Sequence, residues 1–258
     1  MNQIGSYDTI GDIAILKFPE STKHSEKQSL AKTLLKERLN IKTVLEKSDK
    51  IKGRLRTYKV KFLAGARKTI TIHKESGCVF KLDVSTCYFS PRLSNERLEI
   101  ANSIKKKHSV LVLFAGVSPY SIVIAKIAKP KKVVSIELGR DCCKYGQENV
   151  KINKLNNVKI IQGDVKRLIP KLKEKFDVIV MPRPQLPETF LKQALLVSKK
   201  GTLIFFRVFG KQEDLENIML NIRKEAKTCK KTLKLLKINK AGEISPYKFR
   251  WRFDFKVL

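Results

Sequence analysis

VLVLFAGVSPYSIVIAKIAKPKKVVSIELGRDCCKYGQEN, residues 110–149, decides the fold. Val110 to Phe114 read as a buried strand, and the small-residue turn Ala115-Gly116-Val117-Ser118-Pro119 follows it. A helix of roughly one to two turns is expected before Pro130, then a second strand over 133–136 that ends on an acid, Glu137. This is half of a doubly wound nucleotide-binding unit. Gly116 lets the backbone approach a ligand. Glu137 stands roughly 20 residues further on, where a carboxylate at a strand end can take both hydroxyls of a ribose. The glycine alone is a weak signal, because GxGxxG is absent. A second acid strengthens it: Asp164 closes Ile160-Ile161-Gln162-Gly163-Asp164, again at the carboxyl end of an apolar run.

The chain of 258 residues can bury a full core, as one large domain or a domain with a smaller module. Its formal net charge is +31, from 55 Lys and Arg against 24 Asp and Glu. Such an excess costs self-repulsion in the folded state and points to a polyanionic partner, nucleic acid first. High background basicity is the bland alternative. The five cysteines form no CxxC pair and there are three histidines, which argues against a structural zinc site. An odd count with no signal peptide fits a reduced, cytoplasmic setting. No apolar run reaches the length of a membrane span. No metal is called for, and a monomer is expected.

Residues 1–85 differ in texture from the rest. A strand is expected over 12–18 and a helix over 26–39, with Leu30, Ala31, Leu34, Leu35 and Leu39 on one face. Residues 41–45 are β-rich, and runs at 59–64, 69–73 and 78–84 alternate as a small antiparallel sheet. This reads as an α+β module. A connecting region, 86–108, carries a helix over 92–107 that starts just inside Pro91.

From residue 109 to 258 strands and helices alternate. After Glu137 a helix carries Cys142, Tyr145, Asn149 and Ile152 on a core stripe, with Asp141 as a first-turn acid and the adjacent cysteines as packing residues. Further strands are expected over 176–181, 201–209 (apolar throughout except for Arg207) and 232–238, and helices over 165–172, 188–196 and 214–227. FRWRFDFKV, within 249–258, alternates as an edge or hairpin strand after a loop at Ile244-Ser245-Pro246-Tyr247. The fold class is α/β: a Rossmann-like sheet ending in an antiparallel pair, preceded by the small α+β module.

Such a unit can hold NAD, FAD or S-adenosylmethionine. A short turn with one glycine offers few N–H groups to a pyrophosphate. An adenosine ligand without phosphate suits it better, with Glu137 on the ribose and Asp164 accepting from the adenine amino group. The sulfonium would then lie beside Pro182-Arg183-Pro184, which favours methyl or related group transfer.

Several stretches carry a resemblance. They are Ile10-Gly11-Asp12-Ile13-Ala14, Lys42-Thr43-Val44-Leu45, His73-Lys74-Glu75 with Gly77-Cys78, and Tyr88-Phe89-Ser90-Pro91-Arg92-Leu93-Ser94-Asn95-Glu96-Arg97. Phe114-Ala115-Gly116-Val117-Ser118-Pro119-Tyr120-Ser121, Glu148-Asn149 and Ser245-Pro246 continue it, in order, over nearly the whole chain. With these the chain resembles the archaeal and eukaryotic tRNA (guanine-37-N1) methyltransferase family, in which a class I methyltransferase domain follows a small N-terminal module.

The resemblance implies S-adenosylmethionine as cofactor and transfer of its methyl group to N1 of guanine 37 in tRNA. It implies Glu96 as the acid that takes the N1 proton and an arginine that supports charge on the base oxygen, Arg56 in preference to Arg54. A capping or helical-neighbour pairing of Glu96 with Arg92 or Arg97 is the structural alternative. The cofactor set it implies is Phe114, Ala115, Gly116, Val117, Ser118 and Pro119, Glu137 and Leu138, Asp164 and Val165, and Met181 and Pro182.

Two departures stand out. The family's usual acid in the first motif is missing from Val112-Leu113-Phe114, and Pro182 replaces an asparagine after the fourth strand. Proline offers no N–H or amide to the guanine, so Arg183 takes over a contact to base or phosphate, or the reaction differs. That keeps two alternatives: aminocarboxypropyl transfer to a wybutosine-precursor base, and a non-catalytic tRNA-binding relative. No room is expected for a further N-terminal domain that reads the tRNA corner. The RNA is expected to be gripped by charge through Arg54, Lys59, Lys61, Arg67, Lys68, Arg92, Lys105 with Lys106 and Lys107, Arg250 and Arg252. Tyr88, Phe89 and Tyr247 are candidate stacking surfaces for the extruded base, or core residues.

Overall fold

The structure, a computed structural model, describes residues 7–48, 59–182 and 185–258. The chain forms two compact units, Met1–Ser94 and Asn95–Leu258.

In the first unit β1 (Asp8–Ile10) and β2 (Ile13–Leu16) form a hairpin, and α1 (His24–Glu37) crosses to β3 (Thr43–Lys47), parallel to β2. β4 (Val60–Gly65) completes a sheet of order β1-β2-β3-β4. Ala31 and Leu34 bury the inner face of α1 on Ala14, Leu16, Ile41, Val44, Leu63 and Ala64. β5 (Ile70–Glu75) and β6 (Cys78–Asp83) pair as a separate hairpin. The alternation of 59–64 had suggested a sheet shared with β5 and β6. Instead β4 pairs with β3, and its register shifts between Val44 and Leu45. The extra residue at this bulge, Leu63, is buried together with its neighbour Ala64.

A single 3-10 turn, Pro91–Leu93, precedes α2 (Ser94–Asn102). This helix is shorter than the expected 92–107 because Lys105, Lys106 and Lys107 are exposed and leave no apolar face to extend. The second unit then runs β7 (Ser109–Leu113), α3 (Pro119–Ile127), β8 (Lys132–Glu137), α4 (Arg140–Ile152) and β9 (Val158–Gln162). It continues with α5 (Val165–Leu168), β10 (Phe176–Met181), α6 (Leu191–Leu196) and β11 (Ser198–Gly210). It closes with α7 (Leu215–Thr228), β12 (Leu233–Ser245) and β13 (Lys248–Val257).

The seven strands lie in the order β12-β13-β11-β10-β7-β8-β9. β7 is parallel to both β8 and β10, so the chain winds outward in two directions from the centre. Loops leaving the carboxyl ends of β7 and β10 part at that reversal, which opens a crevice there. β7 is buried along its whole length, as a central parallel strand must be.

α3 is longer than expected. Its nine residues hold a run from Tyr120 to Ala125 that is buried throughout, and the Ser135 hydroxyl donates to Ser121 Oγ at 2.7 Å to join it to β8. Ile152, read as core, is 39% exposed at the end of α4.

β13 is the larger surprise. It forms the expected hairpin with β12, but it also pairs antiparallel with β11 and so lies between the two as an interior strand, not an edge. One face, Trp251, Phe253, Phe255 and Val257, joins the main core. The other carries Arg250, Arg252 and Asp254, all buried. Arg252 pairs bidentately with Asp254 (2.7 and 3.0 Å) and donates to Glu99 of α2 at 3.0 Å. Fork geometry and a second acid satisfy the guanidinium, so an alternation that looks half-solvated is buried from Arg250 to Phe255, with Lys256 exposed.

In the first unit the tightest backbone approach is the β1–β2 turn against β5. Gly11 has φ +57° and donates its N–H to His73 Nδ1 at 3.2 Å, while Thr71 Oγ donates to Asp12 Oδ1 at 2.8 Å. A Cβ on Gly11 would lie 2.1 Å from Thr71 Oγ and 2.5 Å from the Ile72 carbonyl oxygen. Gly11→Ala is therefore expected to destabilise the first unit by about 2 kcal/mol or more, measured by urea unfolding followed in that unit. Wild-type stability would show that the turn relaxes freely.

Candidate active site

The turn after β7 is shaped by left-handed backbone at Phe114 (φ 59°), Gly116 (59°) and Ser118 (66°). Three restraints hold it. Glu137, at the end of β8, accepts from the Gly116 N–H through Oε2 and from the Gly139 N–H through Oε1, both at 2.7 Å. Asn149 of α4 donates through Nδ2 to the Val117 carbonyl at 3.2 Å. Gly146 of α4 lets Ser118 approach, since a Cβ there would fall 2.8 Å from Ser118 Oγ. Pro119 takes the first position of α3, where no N–H is needed. Burial pushes the Glu137 carboxyl above its ordinary range, although the amide donors from Gly139, Gly116 and Leu138 oppose this.

Asp164, at the end of β9, caps α5: its Oδ1 accepts from the Lys166 N–H at 2.9 Å. Gly116, Leu138, Asp164 and Pro182 are half-buried, whereas Ala115, Val117, Ser118, Val165 and Met181 are buried. Phe114 packs edge-on against Phe190, ring centroids 4.9 Å apart. The cofactor residues expected from the sequence thus gather at the carboxyl ends of β7, β8, β9 and β10.

Beside this turn lies a buried polar cluster. Glu96, in the first turn of α2, accepts through Oε1 from the Tyr120 hydroxyl and from Arg207 Nη2 at 2.6 Å. Arg207 also donates to the Tyr120 oxygen at 2.6 Å. Tyr120 belongs to the first turn of α3. Arg207 follows Phe206, which pairs with Met181, the last residue of β10. All three groups therefore stand at the crevice end of the sheet. The guanidinium of Arg97, also buried, lies 5.7 Å from the Tyr120 ring centre.

Burial would raise the Glu96 carboxyl, but the charge of Arg207, the Tyr120 hydroxyl and the charge of Arg252 outweigh it and hold the acid below its ordinary range. Burial likewise pushes the Tyr120 phenol far up, so it stays a neutral donor. Glu96 Oε2 is buried without a hydrogen-bond partner among the described residues. The alternative pairing with Arg92 is not what forms: Arg92 is bound to Asp8 at 2.6 Å.

The remaining expected residues divide. Arg54, Arg56 and Arg183 lie outside the described residues. Lys59, Lys61 and Arg67 are exposed on the first unit, and Tyr247 is 77% exposed at the β12–β13 turn. Lys68 is ion-paired with Asp12. Lys105, Lys106 and Lys107 are exposed but precede β7, at the end of the strand opposite the crevice.

Two expectations are corrected: Arg250 and Arg252 are buried in β13 and present no guanidinium for a phosphate backbone. Phe89, left open between stacking surface and core, is buried and packed on His73 and Phe80 with ring centroids 4.9 and 5.9 Å away, the core alternative. Tyr88 is half-buried. Arg207, not expected at the site, had one visible signal: it is the lone charge in an apolar strand, where a buried partner is required.

The strand order, the acid at the end of the second parallel strand and the reversed strand between the last two define a class I methyltransferase fold. A family model described as the TRM5/TYW2 methyltransferase domain matches residues 71–236, and one described as the TYW2 N-terminal domain matches residues 2–69. The chain belongs to the TRM5/TYW2 methyltransferase family.

The tRNA (guanine(37)-N(1))-methyltransferase Trm5b of Pyrococcus abyssi is 34% identical over 253 residues, 98% of this chain and 74% of that protein. The tRNA (guanine(37)-N(1))/4-demethylwyosine(37)-methyltransferase Taw22 of Nanoarchaeum equitans is 32% identical over 98% of this chain and all of its own length. A tRNA(Phe) (4-demethylwyosine(37)-C(7)) aminocarboxypropyltransferase of Methanocaldococcus jannaschii is 34% identical over 78% of this chain and 76% of its own. Among solved structures, Trm5b from P. abyssi superposes with a TM-score of 0.89 at 33% identity, covering 98% of this chain and 75% of that one. M. jannaschii TYW2 in complex with AdoMet gives 0.74 at 26% identity, covering 98% and 99%.

The cofactor of this family is S-adenosylmethionine, and the residues present fit it. The buried carboxylate of Glu137 can accept from a diol, the acid at Asp164 can accept from an exocyclic amine, and no cluster of donors for a pyrophosphate is needed. Glu137→Gln turns one acceptor into a donor facing a backbone N–H. It is expected to weaken S-adenosylmethionine binding about tenfold or more, read by calorimetry. Unchanged affinity would remove Glu137 from the cofactor site.

Proposed function

We propose that this protein transfers the methyl group of S-adenosylmethionine to N1 of guanine 37 in tRNA. When bound, the cofactor supplies an electrophilic methyl carbon on a sulfonium. The chain must supply the rest: removal of the N1 proton, placement of the base and exclusion of water. The observation that carries the reading is Glu96. It is a carboxylate held below its ordinary pKa, at the crevice end of the sheet, with one oxygen bound by Arg207 and Tyr120 and the other without a partner among the described residues. Guanine N1 bears a proton that has to leave as the N–C bond forms, and an ionised acid with a spare oxygen accepts it. The relatives that methylate guanine 37 support the same substrate. The positive charge of the chain, with exposed Lys59, Lys61 and Arg67, fits a polyanion bound through its backbone. Tyr247 is exposed to stack on an unpaired base.

Aminocarboxypropyl transfer to a guanine-derived base at the same position is the second reading. The match of residues 2–69 to the TYW2 N-terminal domain and the presence of Pro182 favour it.

One experiment separates the readings. tRNA transcripts with G37 or a substitution there, and tRNA carrying the wybutosine-precursor base at position 37, are each incubated with S-adenosylmethionine labelled either in the methyl or in the carboxyl carbon, and the product nucleoside is identified by mass. Methyl label in 1-methylguanosine, lost on G37 substitution, is expected. Carboxyl label in the RNA establishes the second reading, and no label means a non-catalytic relative. Glu96→Gln is expected to cut turnover at least 100-fold while tRNA affinity changes little; an equal loss of both would place Glu96 in binding.

A further inference from the structure

We propose that Arg207 and Tyr120 are positioning residues for Glu96, holding one carboxylate oxygen so that the other faces the base in its proton-accepting form. The inference rests on the reading of Glu96 as the base and adds residues from two other elements to it. The geometry is specific. Arg207 Nη2 reaches Glu96 Oε1 and the Tyr120 oxygen, each at 2.6 Å, and Tyr120 donates to the same Oε1. Oε1 therefore has two donors, which leaves Oε2 as the basic oxygen. A buried carboxylate with two firm donors on one oxygen cannot rotate to exchange them without breaking a charge-assisted bond.

The clamp also ties the base to the cofactor turn. Tyr120 lies immediately after Pro119, on the helix that the Gly116–Ser118 backbone leads into. Movement of that turn is transmitted to Glu96 through one phenol. The charged and titratable groups facing Glu96 are Arg207 from β11, Tyr120 from α3 and Arg252 from β13, with Arg97 of α2 behind the tyrosine ring.

The sign of the pH effect follows. Glu96 is held low by its partners against burial. Without Arg207 burial prevails, the folded-state pKa rises, and the acid loses its ionised form at a pH where the wild-type keeps it. Turnover of Arg207→Gln should then recover relative to wild-type as pH increases.

The test uses Arg207→Gln, Arg207→Lys, Tyr120→Phe and Glu96→Gln in the full chain, with S-adenosylmethionine affinity as the check that each is folded. The single-turnover ratio of Arg207→Gln to wild-type is expected to rise about threefold or more between pH 5 and pH 8, which is what a carboxylate moved about one pKa unit above its ordinary value gives. The lysine variant should be nearly flat, and the phenylalanine variant intermediate. In parallel, carboxyl-carbon NMR of glutamate-labelled protein, with Glu96 assigned by its absence in Glu96→Gln, should show its titration moved up in Arg207→Gln without any RNA present. A ratio independent of pH together with an unmoved titration overturns the inference while leaving the base role standing. A moved titration with an active Glu96→Gln overturns the base role, and with it the part assigned to Arg207 in catalysis. If Arg207→Gln fails to bind the cofactor, the lysine and phenylalanine variants decide: identical pH profiles and Glu96 titrations in both overturn it.

Discussion

The carboxylate of Glu137 is the restraint on which the second unit depends. The chain must leave β7, pass through three left-handed residues and start α3 within a few positions, and such backbone persists only where its surroundings over-determine it. Glu137 does this from the neighbouring strand. It binds the turn through Gly116 and the start of α4 through Gly139, so two loops that would otherwise move independently share one acid. Asn149 closes the arrangement from the far side by holding the Val117 carbonyl. The residues of this turn are thus fixed by the strand and helix that follow it in the chain.

Among the described residues of the second unit the buried cations are all arginines, although Arg140, Arg167 and Arg223 are exposed. The lysines of the second unit lie mainly on its surface, while Arg97, Arg207, Arg250 and Arg252 are buried. The guanidinium suits the interior because its planar fork can satisfy two acceptors at once and is less strongly hydrated than an ammonium. Arg252 holds Asp254 and Glu99 together, and Arg207 holds Glu96 and Tyr120 together. Each joins α2 to the sheet. The helix that carries the candidate base is therefore anchored by a buried ion pair, Arg207 with Glu96, and a half-exposed one, Arg252 with Glu99, as well as by Ile100 and Ala101.

Local patterns were enough to read the parallel half of the large sheet. Apolar runs ending on Glu137 and Asp164, preceded by the Gly116 turn, place strands, helices and ligand end without knowledge of pairing. The short helix forecast for α3 failed because its apolar residues are buried on every side, which gives no amphipathic period to follow. β13 was misread for a related reason. Alternating arginine and aromatic residues look like one wet face and one dry face, and only the partner acids, one of them on a helix over 150 positions away, make the polar face dry. Arg207 was visible as an interruption in an apolar strand, but its pairing with Glu96 spans 111 positions and leaves no local trace. The small module was harder, since β4 and β5 share an alternation while belonging to different sheets.

The insertion of β13 between β11 and β12 has a consequence for how the protein is made. β12 touches the sheet only through a strand that follows it in the chain. Until that later segment has left the ribosome, β11 presents an unpaired apolar border in which Ile204, Phe205 and Phe206 await their cover. The nascent chain therefore carries an unpaired apolar edge until β13 has been made, and the β12–β13 hairpin seals it.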